Sequence, residues 1–528
     1  MIKRAPLNQD EIGTLLALAA ILFGGWLRIY PVWQADFPIN DGGLFYVMTR
    51  AIQENSFHLP FYVSYNALHI PFAYPPLAFY VTAALGKVLN IPLIFFFRFL
   101  PAVVLIGTIT AFYPLAKTFL KSRLEAGIAT LIFALTPRSV TWFIMGGGLT
   151  RSFGLLFLIL ASTYVYRAFL ARGNKDIILA SLFSTLLVLS HPEAALHMIG
   201  IGLLFLIFKA RDKRGIIIAA TIVLSVIFLS SIWWITVLLR FGLTPALSAA
   251  QTGLNEPFGL LYPFVQFSEE PYVTFIMVFA FLGITVRLIK REYLLPAWYI
   301  LPFLIEMRSA RNVAIVPLAL LATIGLIEIF KLFTNLESQL IKREIENPLQ
   351  SRATTTFLIF FTIYSIVGMQ LHGMKLSTQI VTKSNRMAFE WIVNNIPPSS
   401  RFLVITGETE LLRDWTQEWF PALTERISLT TIQGREWLNE NDFETLIENF
   451  QYIQSCANSE ALINCISEGT RRANMNYDFI YIAKVTANIP LKYEPKAAGF
   501  VADLKRSKNF MLVYDSTDVV ILKRLAQP

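Results

Sequence analysis

The sequence reads Asp36-Phe-Pro-Ile-Asn-Asp41-Gly-Gly-Leu-Phe-Tyr46 directly after its first long apolar segment, where a membrane helix would emerge into water. A carboxylate at this point makes Asp41 the leading catalytic candidate. A structural alternative is that Asn40 or Asp41 caps the amphipathic helix that follows, which has Leu44 and Met48 on its apolar face. The stretch alone leaves both interpretations open.

The composition indicates a polytopic membrane protein. Of the 528 residues, 55% are hydrophobic and 15% charged, and the mean hydropathy is +0.54, which is too apolar for an ordinary soluble protein. The net charge of +9 comes from short basic clusters between apolar runs. Such clusters are typical of topology signals and argue against nucleic-acid binding. The first apolar run lacks a small-residue cleavage site and is predicted to be a retained span.

About eleven transmembrane helices are predicted, with the N-terminus in the cytoplasm and the chain after His372 outside. A first outer loop, about 31–93, contains the helix after Asp41 and a second apolar helix opened by Tyr74-Pro-Pro-Leu77, which we place on the membrane surface. Residues 1–372 would form the membrane domain. The predicted spans are 12–30, 94–116, 124–143, 152–169, 177–190, 194–208, 216–239, 272–288, 294–305, 313–330 and 353–371.

Residues 373–528 are predicted to form an extracytoplasmic soluble α/β domain, because the composition changes to that of a small globular protein. The stretch from Asp414 to Thr424 is interpreted as a loop, in which Trp415 and Trp419 either stack on a sugar or pack the domain against the membrane part. We favour packing. Helices are expected at 385–395, 437–453 and 459–468, and strands at 401–406, 479–483, 510–514 and 519–523.

Two cysteines, Cys456 and Cys465, occur in this polar part. Their spacing does not fit a zinc site and is compatible with a disulfide closing a small loop, provided that the segment is extracytoplasmic. The alternative is two unrelated thiols.

Arginines on the predicted outer side are candidates for binding a phosphate, since a guanidinium group grips phosphate oxygens with two parallel hydrogen bonds. Arg308 and Arg311 lie near the outer end of a span, and the alternative is that they pair with Glu306 or reach lipid headgroups. Arg151 follows Gly146-Gly-Gly at the start of a helix, which is a plausible anion seat. The alternative for that run is a tight turn between spans.

Further polar residues on the outer side are candidates for an acceptor or secondary site. His191 and Glu193 lie at the tip of a hairpin of two short spans, where a helix-breaking turn with a capping glutamate is the simpler explanation. A solvated loop would equally explain the acidic residues of the second long outer loop. No ligand spacing typical of a metal site accompanies them, so no metal is assigned. These acidic residues are Glu256, Glu269 and Glu270.

The long first loop, its aspartate after the first span and Tyr74-Pro-Pro-Leu-Ala-Phe-Tyr80 together resemble the GT-C superfamily of polytopic membrane glycosyltransferases. The chain is most similar to the family 39 type protein O-mannosyltransferases and the lipid A aminoarabinose transferases, and more distantly to oligosaccharyltransferase catalytic subunits. The resemblance implies that Asp41 is the first-loop catalytic aspartate and that Arg308 and Arg311 contact the polyprenyl phosphate of the donor.

The chain departs from the family pattern at two points. Asp41 is preceded by Asn40 and followed by Gly42-Gly43, where the family motif often begins with Asp-Glu, and the segment 146–151 lacks an acidic residue that many relatives carry. A metal-independent mechanism without cofactor is therefore favoured over one that uses a divalent metal.

The sequence thus predicts a hexosyl- or pentosyltransferase of the cell membrane. It would move a sugar from a polyprenyl-phosphate donor to a hydroxyl of a lipid, glycan or protein on the extracytoplasmic face. Inversion would follow from a single displacement with Asp41 as general base. The rival hypothesis is a transporter or flippase of lipid-linked sugars.

Overall fold

The structure, a computed structural model, describes residues 8–251, 274–342, 351–438, 443–459, 462–484 and 509–525. A helical bundle is followed by a mixed α/β domain. The helices of the bundle and its loops are α1 (Gln9–Gln34), α2 (Gly43–Glu54), α3 (Leu77–Leu89), α4 (Leu93–Phe119), α5 (Arg123–Leu135), α6 (Gly148–Ala171), α7 (Asn174–Val188), α8 (Pro192–Lys209), α9 (Lys213–Phe241), α10 (Thr244–Gln251), α11 (Phe275–Ile289), α12 (Leu294–Ile305), α13 (Met307–Ile341) and α14 (Arg352–Ser377).

A helix lies at each of the eleven predicted spans, and within the described residues seven helices are long and apolar enough to cross a membrane. These seven are α1, α4, α6, α8, α9, α13 and α14. The other four, α5, α7, α11 and α12, have 12 to 15 residues. The span predicted to reach Phe143 ends already at Leu135, because Pro137 disfavours helical backbone at the residue before it.

A fully buried arginine ties α1 to the end of α5. The Arg28 guanidinium donates to the carbonyl oxygens of Gly24 (3.0 Å) and Ala134 (2.9 Å). It also donates to the Ser139 hydroxyl at 2.9 Å. Inside an apolar bundle such donors must find acceptors, so Arg28 has a structural function here.

The first loop forms a compact layer on one end of the bundle. Besides α2 and α3 it contains a hairpin of β1 (Tyr62–Tyr65) and β2 (Leu68–Pro71), which pair antiparallel. Asn66 and Ala67, with φ of 54° and 57°, make the two-residue turn between them. Met48 and Phe72 of this layer are fully buried in a cluster that continues into the C-terminal domain.

The C-terminal domain has three layers, with helices on both faces of a five-stranded sheet. Strand order is β4-β3-β5-β7-β6, with β3 parallel to β4 and β5 and the other pairs antiparallel. The elements are α15 (Lys383–Asn395), β3 (Arg401–Ile405), α16 (Trp415–Thr424), β4 (Ile427–Ser428), α17 (Phe443–Ser455), α18 (Leu462–Arg472), β5 (Phe479–Ala483), β6 (Phe510–Asp515) and β7 (Val519–Arg524).

Alternation along β3 builds the two cores of this domain. Phe402 and Val404 pack with residues of α15 and α16, whereas Leu403 and Ile405 pack with residues of α17 and α18. The four predicted strands and the predicted α/β fold are confirmed. The helix α14 runs on to Ser377, past the boundary drawn after residue 372, so the bundle and the domain share a continuous helix.

The interpretation of residues 414–424 as a loop is wrong, because Trp415–Thr424 is a helix. Asp414 caps it by accepting from the Gln417 amide at 3.1 Å. Pro421 cannot donate to the Gln417 carbonyl, which instead accepts from the Thr431 hydroxyl at 2.8 Å. A side chain from outside the helix thus compensates for the hydrogen bond that Pro421 cannot donate.

Cys456 and Cys465 form a disulfide that links the end of α17 to α18, with their Cα atoms 5.6 Å apart. The bond joins residues nine positions apart in sequence. It lies on the α17 and α18 face of the sheet, whereas α15 and α16 cover the opposite face, toward the bundle. It therefore braces the distal layer of the domain.

Candidate active site

Asp41 lies in a tight turn between α1 and α2. Asn40 before it and Gly42 after it have φ of 55° and 132°, both in the left-handed range. Helix α2 starts at Gly43 with Gly42 as its N-cap, and neither Asn40 nor Asp41 caps it with a side chain. The capping alternative is therefore wrong, and the Asp41 carboxylate is directed elsewhere.

The carboxylate of Asp41 lies at the N-terminus of α6. Its Oδ2 accepts from the Arg151 guanidinium at 2.7 Å, and its Oδ1 accepts from the Gly147 amide at 3.1 Å. The side chains of Asp41 and Arg151 are 25% and 22% exposed. The positive end of a 24-residue helix favours an anion at this point.

The glycine run before Arg151 was predicted to seat an anion, and the anion in the structure is the protein's own carboxylate. A Cβ on Gly147 would lie 2.6 Å from the Asp41 Oδ2, so only glycine leaves room for it. Arg151, predicted to bind the donor phosphate, is here the counter-charge of Asp41.

Glu418 of α16 also reaches this turn, and the sequence analysis missed it. Its Oε1 accepts from the backbone amides of Gly42 at 3.0 Å and Leu44 at 3.2 Å, so a residue of the C-terminal domain caps α2. Burial and the negative charge of Asp41 raise the pKa of Glu418. The sequence offered Asn40 and Asp41 as caps of α2, so only the structure, in which neither side chain caps this helix, reveals the need for Glu418.

A second group of predicted residues lies close by. Glu193 and Arg308 form a loose ion pair, Oε1 to Nε 3.8 Å, in which the Arg308 side chain is 54% exposed. The helix-breaking turn predicted as the structural alternative is present at this hairpin tip, but its cap is His191, which accepts from the Ala194 amide at 3.3 Å, and not the expected glutamate. Glu306 caps α13, accepting from the Arg308 and Ser309 amides at 2.6 and 2.8 Å.

Among the described ion pairs, the Arg308 side chain pairs with Glu193 and not with Glu306. Arg311 lies one turn further along α13 and is partly buried. The predicted acidic candidates Glu256, Glu269 and Glu270 lie outside the described residues.

Tyr74 of the Tyr-Pro-Pro motif connects the two groups. Its hydroxyl lies 3.2 Å from the Thr150 hydroxyl, next to Arg151, and its ring centroid lies 6.5 Å from that of His191. Burial raises the pKa of Tyr74 to about 12, and the charges of Glu193, Arg151 and Arg308 all act on its hydroxyl. The phenol therefore stays neutral and can donate a hydrogen bond at neutral pH.

The C-terminal domain completes the rim of this region. The Trp437 ring lies 5.7 Å from the Tyr74 ring, and the Arg413 guanidinium lies 5.6 Å from the ring of Trp142. Arg151 lies 6.0 Å from the same indole, whose Nε1 is buried without a hydrogen-bond partner among the described residues. Sequence reasoning missed Trp142, Arg413 and Trp437, since nothing local marks them.

Both tryptophans of the 414–424 stretch are buried at the junction of the bundle and the domain. The Trp419 Nε1 donates to the Asn40 carbonyl at 2.9 Å, and the Trp415 Nε1 donates to the Ile380 carbonyl at 3.0 Å. Trp419 is fully buried and Trp415 is 7% exposed. They pack the domain against the membrane part, which is the interpretation favoured from the sequence. Across the described residues, no three His, Cys, Asp or Glu side chains cluster as metal ligands.

A family of membrane proteins, described as the 6-pyruvoyl-tetrahydropterin synthase related domain, matches residues 73–369, which is more than half of the chain. The chain belongs to this family. The match of the 6-pyruvoyl-tetrahydropterin synthase related domain starts after Asp41 and covers α3 to most of α14. It places the chain among membrane proteins and leaves its reaction open. No curated protein matches the chain in sequence.

Solved structures of three GT-C glycosyltransferases are similar to this member of the family. The oligosaccharyltransferase of Archaeoglobus fulgidus, with a tethered acceptor peptide containing the NVT sequon, has a TM-score of 0.55 and 14% identity, over 97% of this chain and 74% of that chain. ArnT from Cupriavidus metallidurans bound to undecaprenyl phosphate has a TM-score of 0.53 and 13% identity, over 97% of this chain and 98% of that chain. The arabinofuranosyltransferase AftD from Mycobacteria has a TM-score of 0.50 and 13% identity, over 99% of this chain and 40% of that chain. At these identities the likeness concerns the fold. The expected GT-C fold is confirmed.

Proposed function

We propose that this protein transfers a sugar from a polyprenyl-phosphate-linked donor to a hydroxyl of a lipid, glycan or protein acceptor, with inversion at the anomeric carbon. The GT-C fold supports glycosyl transfer in the membrane, since the similar structures include ArnT bound to undecaprenyl phosphate and an oligosaccharyltransferase with an acceptor peptide. Asp41 is the proposed general base.

The observation that carries the proposal is the setting of the Asp41 carboxylate. It is held from two sides, by the Gly147 amide and by Arg151, yet a quarter of its side chain is exposed. A carboxylate can accept about four hydrogen bonds and this one accepts two from Gly147 and Arg151, so lone pairs remain available for the hydroxyl of the sugar acceptor. A fixed and accessible carboxylate is what a general base requires.

In the proposed reaction the acceptor oxygen attacks the anomeric carbon and gives its proton to Asp41. The bond from the anomeric carbon to the phosphate oxygen breaks at the same time, and the polyprenyl phosphate leaves with the electron pair. Arg308, which is half exposed and only loosely paired with Glu193, is the proposed ligand of the leaving phosphate. Arg311, on the next turn of α13, is the second proposed contact.

No cofactor is included in the proposal. The segment 146–151, in which many relatives carry an acidic residue, contains none and ends in Arg151, whose guanidinium supplies a positive charge next to Asp41. A chelator of divalent metals is therefore expected to leave transfer unchanged.

The rival function is transport or flipping of a lipid-linked sugar, for which charges paired with each other within the spans would argue. The fully buried Arg28 of α1 donates to carbonyl and hydroxyl oxygens and not to a carboxylate. In a test, the protein in lipid nanodiscs is mixed with a radiolabelled polyprenyl-phosphate sugar and candidate acceptors. The proposed enzyme releases polyprenyl phosphate and labels the acceptor, whereas a transporter leaves the donor intact.

Replacing Arg308 by Lys is expected to weaken donor binding roughly 10- to 100-fold, because lysine keeps the charge but loses the planar fork. Binding of the lipid donor in nanodiscs measures this directly. Arg172→Lys is the matched control, since Arg172 pairs with Asp212 away from the site. Unchanged donor binding in both Arg308→Lys and Arg311→Lys would remove these residues from the donor site.

The proposed orientation has a cytoplasmic N-terminus and an extracytoplasmic C-terminal domain. The basic clusters support it, and a disulfide between Cys456 and Cys465 is typical of an oxidising compartment. A reporter that is active only in the cytoplasm, fused after Pro528, should be silent. Reporter activity there would contradict both the orientation and the side on which Asp41 is proposed to act.

A further inference from the structure

Two consecutive residues of the C-terminal domain grip the turn that carries Asp41. Glu418 Oε1 accepts from the Gly42 and Leu44 amides, and Trp419 Nε1 donates to the Asn40 carbonyl at 2.9 Å. The backbone immediately before Asp41 and immediately after it is therefore bonded to α16, although Asp41 itself is not.

The turn needs such external support. Asn40 and Gly42 both have positive φ, which asparagine adopts more readily than most residues but still at some cost, and which persists where the surroundings determine the backbone. Helix α2 offers no cap of its own, so without Glu418 its first amides would be buried without acceptors.

Close packing leaves the turn no room to adopt another path. A Cβ on Gly43 would lie 2.5 Å from the Glu418 carbonyl oxygen, and a Cβ on Gly42 would lie 2.8 Å from the backbone of Gly146. The Glu418 carbonyl also accepts from the Tyr65 hydroxyl at 2.7 Å, which fixes α16 to the hairpin of the first loop.

The environment of Glu418 favours an uncharged side chain that accepts hydrogen bonds. Glu418 is 6% exposed, and burial together with the charge of Asp41 favours its protonated form. A protonated carboxyl group still offers a carbonyl oxygen to the two amides, and it adds no second negative charge beside Asp41.

We propose that Glu418 is a positioning residue, through which the C-terminal domain holds the Asp41 turn in the conformation that directs the carboxylate toward Gly147 and Arg151. Its effect on turnover rests on the proposed function, whereas its effect on the turn does not. Glu418 itself exchanges no proton with the substrate.

Two substitutions separate positioning from proton transfer. Glu418→Gln keeps an acceptor oxygen in place, so turnover should stay within about threefold of the wild type. Glu418→Met keeps the approximate volume and loses the acceptor, so kcat should fall by about tenfold or more while KM for the donor stays within about twofold.

Amide hydrogen exchange supplies a readout that needs no activity. In Glu418→Met, peptides covering residues 40–46 should exchange about tenfold faster or more, because the Gly42 and Leu44 amides lose their acceptor. In Glu418→Gln they should exchange as in the wild type. Peptides covering β3 should be unchanged in both variants, which shows that the domain is folded.

The matched control is Glu425→Gln. Glu425, at the other end of α16, makes an exposed ion pair of 2.9 Å with Arg50 of α2, so the variant loosens the same two helices away from the turn. Neither exchange at 40–46 nor kcat should change. If Glu418→Met does not fold, Trp419→Phe replaces it, since that variant loses one hydrogen bond to the turn and should speed exchange there by a smaller factor.

Two outcomes would overturn the proposal. Normal exchange at residues 40–46 in Glu418→Met or in its replacement would show that the domain does not hold the turn. Loss of turnover in Glu418→Gln with normal exchange would instead assign Glu418 to proton transfer. A wild-type protein without transferase activity would overturn the proposed function, and the exchange data would still decide whether Glu418 holds the turn.

Discussion

Replacing Asp41 by Asn is expected to lower sugar transfer by roughly 100-fold or more while donor binding and folding stay close to those of the wild type. Asparagine is nearly isosteric with aspartate, and its one amide oxygen can still accept from either Gly147 or Arg151, whereas its NH2 group is a donor and cannot replace the second oxygen. Asparagine cannot take up the acceptor proton. Initial rates of transfer at saturating donor, together with donor affinity and thermal unfolding, measure the effect.

Asp36→Asn is the control for this substitution, because it removes a carboxylate of the same loop that pairs elsewhere. Asp36 pairs with Arg386 of the C-terminal domain through an ion pair in which the aspartate side chain is 55% exposed. Exposed pairs contribute up to about 1 kcal/mol, so transfer should fall by only a few-fold. Near-native turnover of Asp41→Asn would return the search for the base to Glu193 and to the acidic residues Glu256, Glu269 and Glu270.

Gly147→Ala is expected to reduce kcat by about tenfold or more without unfolding the protein. The added methyl group would lie 2.6 Å from Oδ2 and 2.9 Å from Oδ1 of Asp41. Because the obstacle is the end of a side chain and not backbone, the carboxylate should swing away and lose its bond to the Gly147 amide. Transfer rate and thermal stability, measured on the same preparation, distinguish this displacement from a folding defect.

Gly173→Ala is a close match for that variant. Both glycines are N-cap residues of bundle helices, and a Cβ on Gly173 would meet nothing within 4 Å. The cost of alanine at a helix N-cap is therefore common to the two variants, and only Gly147→Ala should lose activity. Equal activities would show that the exact seat of the carboxylate does not matter.

The sequence allowed the architecture to be predicted because each level of it leaves a local pattern. Apolar runs between basic clusters marked the bundle helices, and short β-branched runs marked the strands of the C-terminal domain. Two of the errors concern segments that contain proline. Pro137 shortened a predicted span, and the stretch interpreted as a loop is a helix that contains Pro421, in which the Thr431 hydroxyl replaces the donor missing at the Gln417 carbonyl.

The site was predictable only in part. Asp41 and the glycine run before Arg151 each stood out alone, but their partnership depends on packing between segments 110 residues apart. No local pattern around Glu418 indicates its function, since its partner is the uncapped start of α2. The Leu44 amide that it accepts from lies 374 residues earlier. Long-range pairs of this kind are fixed by the tertiary fold and have no period or spacing in the sequence.

The contact between Gly42 and Glu418 spans 376 residues, which has a consequence for biosynthesis. At about 5 to 20 residues per second, a ribosome needs roughly 20 to 75 seconds to go from the first of these residues to the second. During that interval the growing chain already carries Asp41 but not the helix that caps its turn. The turn that carries Asp41 therefore matures last, after the membrane helices have been made, and a chain released before α16 is complete would be a membrane protein in which this turn is unfinished.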